Sequence, residues 1–312
     1  MPTLARGAGG TGPLYWATLP TESPAMAPDT LHRFMFAQAP VRGLLVQLAT
    51  SWQDVQARHY YPQPVRDLLG QLLAGAALLG SNLETAGQVI VELRGDGPLR
   101  LLVADNRGGT TVRALARWSE PLQGTDWRAL LGDGRLVITL DARGDGRRYQ
   151  GIVELAAAGL AQTLEHYFAS SDQLAGCIVL AADEARAAGL LLQRLPGNAG
   201  PDDVAQWDHI AALAGTTRPQ ELLHLAPEQL LGRLFADQDL HLLAAQALRF
   251  GCSCSGERVE ATLLGLGRAE IESLLAERGS IDVDCEFCNQ HYRYDRVAAR
   301  RLLENMGTGP LH

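Results

Sequence analysis

The chain has 312 residues, 46% of them apolar, and a formal net charge of −8. That length accommodates two domains and that composition suits a globular core, while the acidic balance excludes a global positive field for gathering nucleic acid or anionic membrane. All 27 basic residues are arginine, which excludes chemistry that needs a lysine amine: the P-loop lysine, the kinase lysine, a Schiff base or a pyridoxal phosphate anchor.

Residues 1–28 are rich in Gly, Pro, Ala and Thr and lack the apolar stretch that a signal peptide needs. A disordered extension is expected there. Without export the expected compartment is the reducing cytoplasm, where paired cysteines bind metal or sense redox state more often than they form structural disulfides.

Residues 29–196 mix two periodicities. Strands are expected at 41–48, 111–118, 135–141, 149–155, 177–182 and 187–195, and 88–105 reads as a hairpin turning at Gly95-Asp96-Gly97-Pro98. Helical spacing occurs at 51–59, 64–79 and 159–168. The longest apolar run, 68–80, is too short to span a membrane and reads as a buried helix. The pattern predicts an α+β domain with a largely antiparallel sheet. The GDG stretches at 95–97 and 144–146 precede no helix at phosphate-loop spacing and read as hairpin turns.

Residues 197–248 form a helical linker in this reading. Short amphipathic helices are expected at 202–215, 218–225 and 227–246, with Leu230, Leu231, Leu234 and Phe235 on one stripe. Helices this short depend on packing against a neighbour.

Residues 249–312 form the last unit. Two helices at 256–267 and 268–279 precede a hairpin at 280–295 whose turn carries Cys285 and Cys288, and a final helix starts near Asp295. The other pair, Cys252 and Cys254, opens the unit. Two close pairs on turns can bring four thiolates into a tetrahedron around zinc. A unit of this size has too small a core to be secure without such a staple. Spacing alone leaves open a structural zinc ribbon, a redox-active zinc site, an iron–sulfur site and simple disulfides. His291 reads as a surface or second-shell histidine rather than a replacement ligand, and Cys177 as a thiol buried in an apolar strand.

The CxC pair, the thirty-residue spacing and the CxxC pair resemble the signature of the heat-shock protein 33 family, the redox-regulated chaperonins of bacteria. The resemblance extends through "APVRGLLVQL", "HYYPQPVRDLLGQLLAGAALL", "LRGDGPLRLLV", "RYQGIVEL", "EHYFASSDQL", "AAGLLLQRLP", "GERVE" and "CEFCNQHYRYD". It covers about 31–301; the extension and the lysine-free linker depart from the pattern. The resemblance implies an ATP-independent holdase for unfolding client proteins, inactive while Cys252, Cys254, Cys285 and Cys288 hold one zinc ion. It implies that oxidation forms Cys252–Cys254 and Cys285–Cys288 disulfides, releases the metal and loosens the linker. The active form implied is a homodimer, with no nucleic-acid or membrane partner. Leu230, Leu231, Leu234 and Phe235 become candidates for client-binding surface. Ring strain, together with the family pattern, places the Cys285–Cys288 disulfide before the tighter Cys252–Cys254 ring. A thiol-disulfide oxidoreductase is the enzymatic alternative; it requires an accessible CxxC at a helix N-terminus.

Overall fold

The computed structural model describes residues 29–81, 87–122, 124, 126–141, 148–155, 159–172, 175–196 and 200–305. The extension at 1–28, the turn at 144–146 and the start of the linker at 197–199 lie outside the described residues. In chain order the elements begin β1 (Thr30–Phe36), β2 (Val41–Leu48), α1 (Thr50–Gln56), α2 (Gln63–Gly80), β3 (Gln88–Arg94), β4 (Leu99–Arg107), β5 (Thr111–Trp118), α3 (Trp127–Leu131), β6 (Arg135–Asp141) and β7 (Arg148–Glu154). They continue α4 (Leu160–Tyr167), β8 (Gly176–Ala182), β9 (Ala187–Arg194), α5 (Pro201–Gly215), α6 (Pro219–His224), α7 (Pro227–Leu234), β10 (Leu240–Leu242), β11 (Gln246–Ala247) and β12 (Arg249–Phe250). The chain closes with α8 (Gly256–Leu266), α9 (Arg268–Arg278), β13 (Ser280–Asp284), β14 (His291–Asp295) and α10 (Arg296–Asn305).

The α+β class with antiparallel pairing is as expected, but the strands form two large sheets. One runs β10-β1-β2-β9-β8 with β11 also on β1; the other runs β12-β5-β4-β3-β6-β7. The single parallel pairing among the described strands joins β12 to β5. Helix α2 lies between the sheets and packs on strands of both. Its buried residues run from Val65 to Gly80 with little interruption, as a helix apolar on all sides requires. The close approach needs glycine: a Cβ on Gly70 would come within 2.5 Å of the Ala182 Cβ. Asp29, almost fully buried, accepts from the backbone N–H groups of Ala49, Thr50 and Ser51 at 2.6–2.9 Å. It thereby caps α1 from outside the helix, which has no side-chain cap of its own.

The first sheet is covered on both faces. Leu44, Val46 and Leu48 of β2 face the α2 core, and Val41 and Leu45 face the opposite way. That second face is roofed by α5, α6 and α7, which supply Trp207, Ile210, Ala214, Leu222, Leu223, Leu230, Leu231 and Leu234. Double burial explains why β9 reads as an almost continuous apolar run. Polar ties fix the roof: Gln47 Nε2 donates to the carbonyls of Leu222 and Leu225 at 2.9 Å, and Arg186 donates to the carbonyl of Leu223 at 3.1 Å.

The segment after Leu234 departs from its expected helical form. The helix stops, with Phe235 at φ −123° and ψ 42°, and the chain goes on as three short strands. The edge of β1 is open to them, and its unpaired backbone groups take β10 and β11. β12 then crosses to the second sheet, beside Thr111 and Val112 of β5. The linker thus stitches both sheets and delivers the CxC pair to the edge of the second.

The C-terminal unit has its own small core, built from Leu263, Ile271, Leu275, Ile281, Tyr294, Ala299, Leu302 and Leu303. Ser255 caps α8 by accepting from the Arg258 N–H. Gly279, at φ +78°, ends α9 in the left-handed conformation.

Candidate metal centre

The four cysteines come from two backbone devices. Cys252 and Cys254 sit in the short stretch between β12 and α8, held at one end by Gly251 N–H donating to the Val112 carbonyl at 3.1 Å. Cys285 and Cys288 sit on the β13–β14 turn, where Cys285 N–H donates to the Gln290 carbonyl at 3.0 Å. The Cys285 carbonyl in turn accepts from the N–H groups of Cys288 and Asn289. Asn289 takes the left-handed conformation, φ 57°, that closes the turn.

These devices bring all four sulfurs within 4.8 Å of one another. Cys252 Sγ lies 3.6 Å from Cys285 Sγ, and Cys254 Sγ lies 3.3 Å from Cys288 Sγ. A tetrahedron with metal–sulfur bonds of about 2.3 Å has edges of about 3.8 Å, whereas a disulfide needs sulfurs about 2.05 Å apart. The arrangement therefore fits a soft metal ion in an all-thiolate site. Four thiolates at this distance repel one another, and a cation is what allows all four to ionise.

Without that cation Cys252 differs from Cys285 and Cys288. Burial works against ionisation of Cys252, but the Cys254 N–H, Arg113 and neighbouring thiols outweigh it and bring its pKa down to about 7. Burial and the other three sulfurs push Cys288 up to about 12, and burial raises Cys285. The Tyr292 hydroxyl, hydrogen-bonded to Cys254, is also held up near 12.

The centre is docked on the core. Arg113 of β5 donates to Cys252 Sγ at 3.2 Å and stacks on the Phe287 ring, 4.0 Å from its centroid. Arg117 pairs with Glu286, His59 Nε2 meets the Glu286 carbonyl at 2.7 Å, and Asn289 donates to the Arg58 carbonyl. Arg58 also lies over Phe250, 3.9 Å from the centroid. None of these core residues was singled out from the sequence. One signal was present: Arg113 and Arg117 share a face of an otherwise apolar strand.

His291 stands apart from the sulfurs, between Asp284 (2.7 Å) and Asp282 (3.2 Å), whose carboxylates raise its pKa. Cys177 is a half-buried thiol in β8, pushed up to about 11 by burial and by Glu165. Leu230, Leu231, Leu234 and Phe235 lie 0–7% exposed against the roofed face of the first sheet. They are therefore covered here, and their candidacy as client-binding surface requires release of the roof. Among the described residues no helix is long and apolar enough to cross a membrane.

A profile of the Hsp33 protein family matches residues 29–295. The chain is 43% identical over 283 residues to a 33 kDa chaperonin of Nitrosococcus oceani, spanning 91% of this chain and 97% of that one. It is 40% identical over 275 residues to a 33 kDa chaperonin of Methylobacillus flagellatus, spanning 88% and 94%. The crystal structure of a 33 kDa chaperonin from Thermotoga maritima superposes with a TM-score of 0.78 at 23% identity, over 90% of this chain and 99% of that one, which shows a shared fold.

Proposed function

The chain belongs to the Hsp33 family and is a chaperone rather than an enzyme, and we propose that it is an ATP-independent holdase of the cytoplasm, switched by its four cysteines. The observation that carries this reading is the convergence of Cys252, Cys254, Cys285 and Cys288 within 4.8 Å in a small unit docked beside the linker. In this reading the core covers 29–196, the linker 197–248 and the switch unit 249–312. Zinc is the ion the all-sulfur tetrahedron suits best, and when bound it contributes on the order of 10–16 kcal/mol to folding of such a unit.

The switch follows from thiol chemistry. Hydrogen peroxide takes two electrons from a cysteine pair: one sulfur attacks, giving a sulfenic acid and water, and the second sulfur displaces a second water to close the disulfide. With Cys252 tied to Cys254 and Cys285 to Cys288, no thiolates remain to hold a cation. The small core of Leu263, Ile271, Leu275 and their neighbours is then left without its staple.

The linker stands between that unit and the core. Helices α6 and α7 have six and eight residues, too few to persist without the sheet beneath them. Their release uncovers Leu230, Leu231, Leu234 and Phe235 together with the Phe34, Phe36, Val41 and Leu45 face of the sheet. Such a contiguous apolar surface is what an unfolding client binds. A homodimer enlarges that surface in the oxidised state. A thiol-disulfide oxidoreductase is less well supported, because the CxxC pair lies on a β-hairpin turn instead of a helix N-terminus. The test is suppression of client aggregation, with insulin reduction as the control: the holdase suppresses scattering only when oxidised and reduces no insulin.

A further inference from the structure

We infer that Arg113 is the residue through which the core holds the reduced centre, a positioning residue whose bond to Cys252 couples metal retention to docking of the linker. The inference rests on the switch reading above and adds a core residue to it.

Arg113 is nearly buried, with 12% of its side chain exposed, and it is fixed from behind. Its Nε and Nη2 donate to Asp105 Oδ2 at 2.8 and 2.7 Å, and Asp105 is itself 1% exposed. A buried carboxylate holds a guanidinium firmly, because either charge alone is costly there. The remaining nitrogen, Nη1, points outward to Cys252 Sγ at 3.2 Å. The flat face of the guanidinium carries Phe287, one of the two residues between Cys285 and Cys288. One side chain thus touches Cys252 of the first pair and the turn that carries the second pair, while anchored in the second sheet.

Its position on the strand matters as much. β12 pairs with β5 at Arg249↔Thr111 and Phe250↔Val112, and Arg113 is the next residue of β5. The strand that ends the linker therefore lies directly beside the arginine that holds the centre. A reduced Cys252 is a thiolate acceptor for Arg113. A disulfide sulfur carries no charge and accepts weakly, so oxidation removes the bond at its acceptor while Asp105 keeps the arginine in place. Coupling of this kind is reciprocal: if docking against Arg113 favours the metal-holding thiolate, losing Arg113 must weaken both metal retention and the seat of β12.

The test uses the full-length, reduced, zinc-loaded protein. Zinc transfer to excess 4-(2-pyridylazo)resorcinol and amide hydrogen exchange are followed for wild type, Arg113→Gln and Phe287→Ala. Arg113→Gln is expected to release zinc about tenfold faster and to speed exchange at 246–251 and 285–290, while amides of β3, β4 and β6 keep wild-type protection. Phe287→Ala, which leaves the Asp105 pair intact, shifts the same two readouts in the same direction by a smaller factor. It decides the matter if Arg113→Gln does not fold. Wild-type zinc release and wild-type exchange at both segments in a folded variant would overturn the inference. So would faster exchange spread over β3, β4 and β6, which marks general loss of core stability. Wild-type protein that binds no zinc, or stays silent as a holdase after oxidation, would instead strike at the switch reading itself.

Discussion

The Phe36 and Phe235 rings meet edge to face, with centroids 5.1 Å apart and an interplanar angle of 82°. Phe36 belongs to β1 of the core and Phe235 follows α7 of the linker, so this pair joins the roof to the sheet it covers. Phe34 extends the cluster, 5.9 Å from Phe36 and 6.2 Å from Phe235. Such pairs contribute about 0.5–1.5 kcal/mol beyond burial. That is enough to hold a short helix while the flanks are docked, and too little to hold it alone.

Leu231→Glu is expected to open the roof without oxidation. Leu231 is 4% exposed; its removal forfeits about 1.5–3 kcal/mol of burial, and the carboxylate cannot stay in the apolar layer. Holdase activity should rise in the reduced, zinc-loaded state, and limited proteolysis should cut within 227–248. Zinc content should stay at the wild-type level, because the roof opens away from β12 and Arg113, which hold the centre. Silence of this variant with a demonstrably cleavable linker would dissociate linker release from activity.

Loss of the metal ligands is expected to act in the same direction from the other end. Cys285→Ser/Cys288→Ser should bind no zinc, against one ion per reduced wild-type chain, and should lose protection throughout α8–α10. Full zinc stoichiometry in that variant would contradict the four-cysteine site.

In reduced protein stripped of metal, Cys252 is expected to alkylate before Cys285 and Cys288. Its pKa near 7 leaves a substantial thiolate fraction at neutral pH, whereas Cys288, near 12, remains protonated. Because the thiolate is the reactive form, the iodoacetamide rate at Cys252 should fall about tenfold for each pH unit below 7. Arg113→Gln should move that profile to higher pH. This order concerns the metal-free state; in the zinc-bound state, where all four sulfurs are already thiolates, ring strain still favours Cys285–Cys288 as the first disulfide. Mass spectrometry of peptides alkylated over a pH series separates the two regimes.

Cys177 is expected to be a bystander. Its thiol is half-buried and held near pKa 11, so at pH 8 it should resist both alkylation and peroxide. Cys177→Ala should keep zinc and the redox response, with a packing loss of about 1 kcal/mol seen as a small drop in thermal midpoint.

The features legible in the sequence are those set by local pattern. Residues 64–79 carry enough apolar side chains on every side to announce a buried helix, which α2 is. The cysteine spacings and the apolar–polar alternation around them announced the β13–β14 hairpin and the convergence of four sulfurs. What escaped depends on partners far along the chain. In β1, Leu31 and His32 are both buried, which blurs the alternation of a one-sided strand. No Gly or Pro interrupts 233–248, so the leucines after α7 read as more helix, yet the open edge of β1 draws Leu240–Leu242 into β10. Arg113 reads as one arginine among many until Cys252, 139 residues later, is placed against it.

One event, oxidation of the four cysteines, should both empty the metal site and turn on client binding. Its most direct measurement follows two signals in one sample treated with peroxide at elevated temperature: zinc captured by a chromophoric chelator, and light scattering of a heat-unfolding client. Scattering should stay unsuppressed while zinc is retained, suppression should grow as zinc appears, and a thiol reductant with added zinc should reverse both. Full suppression by reduced wild-type protein that still holds its zinc, or complete zinc release without any suppression, would overturn this single switch.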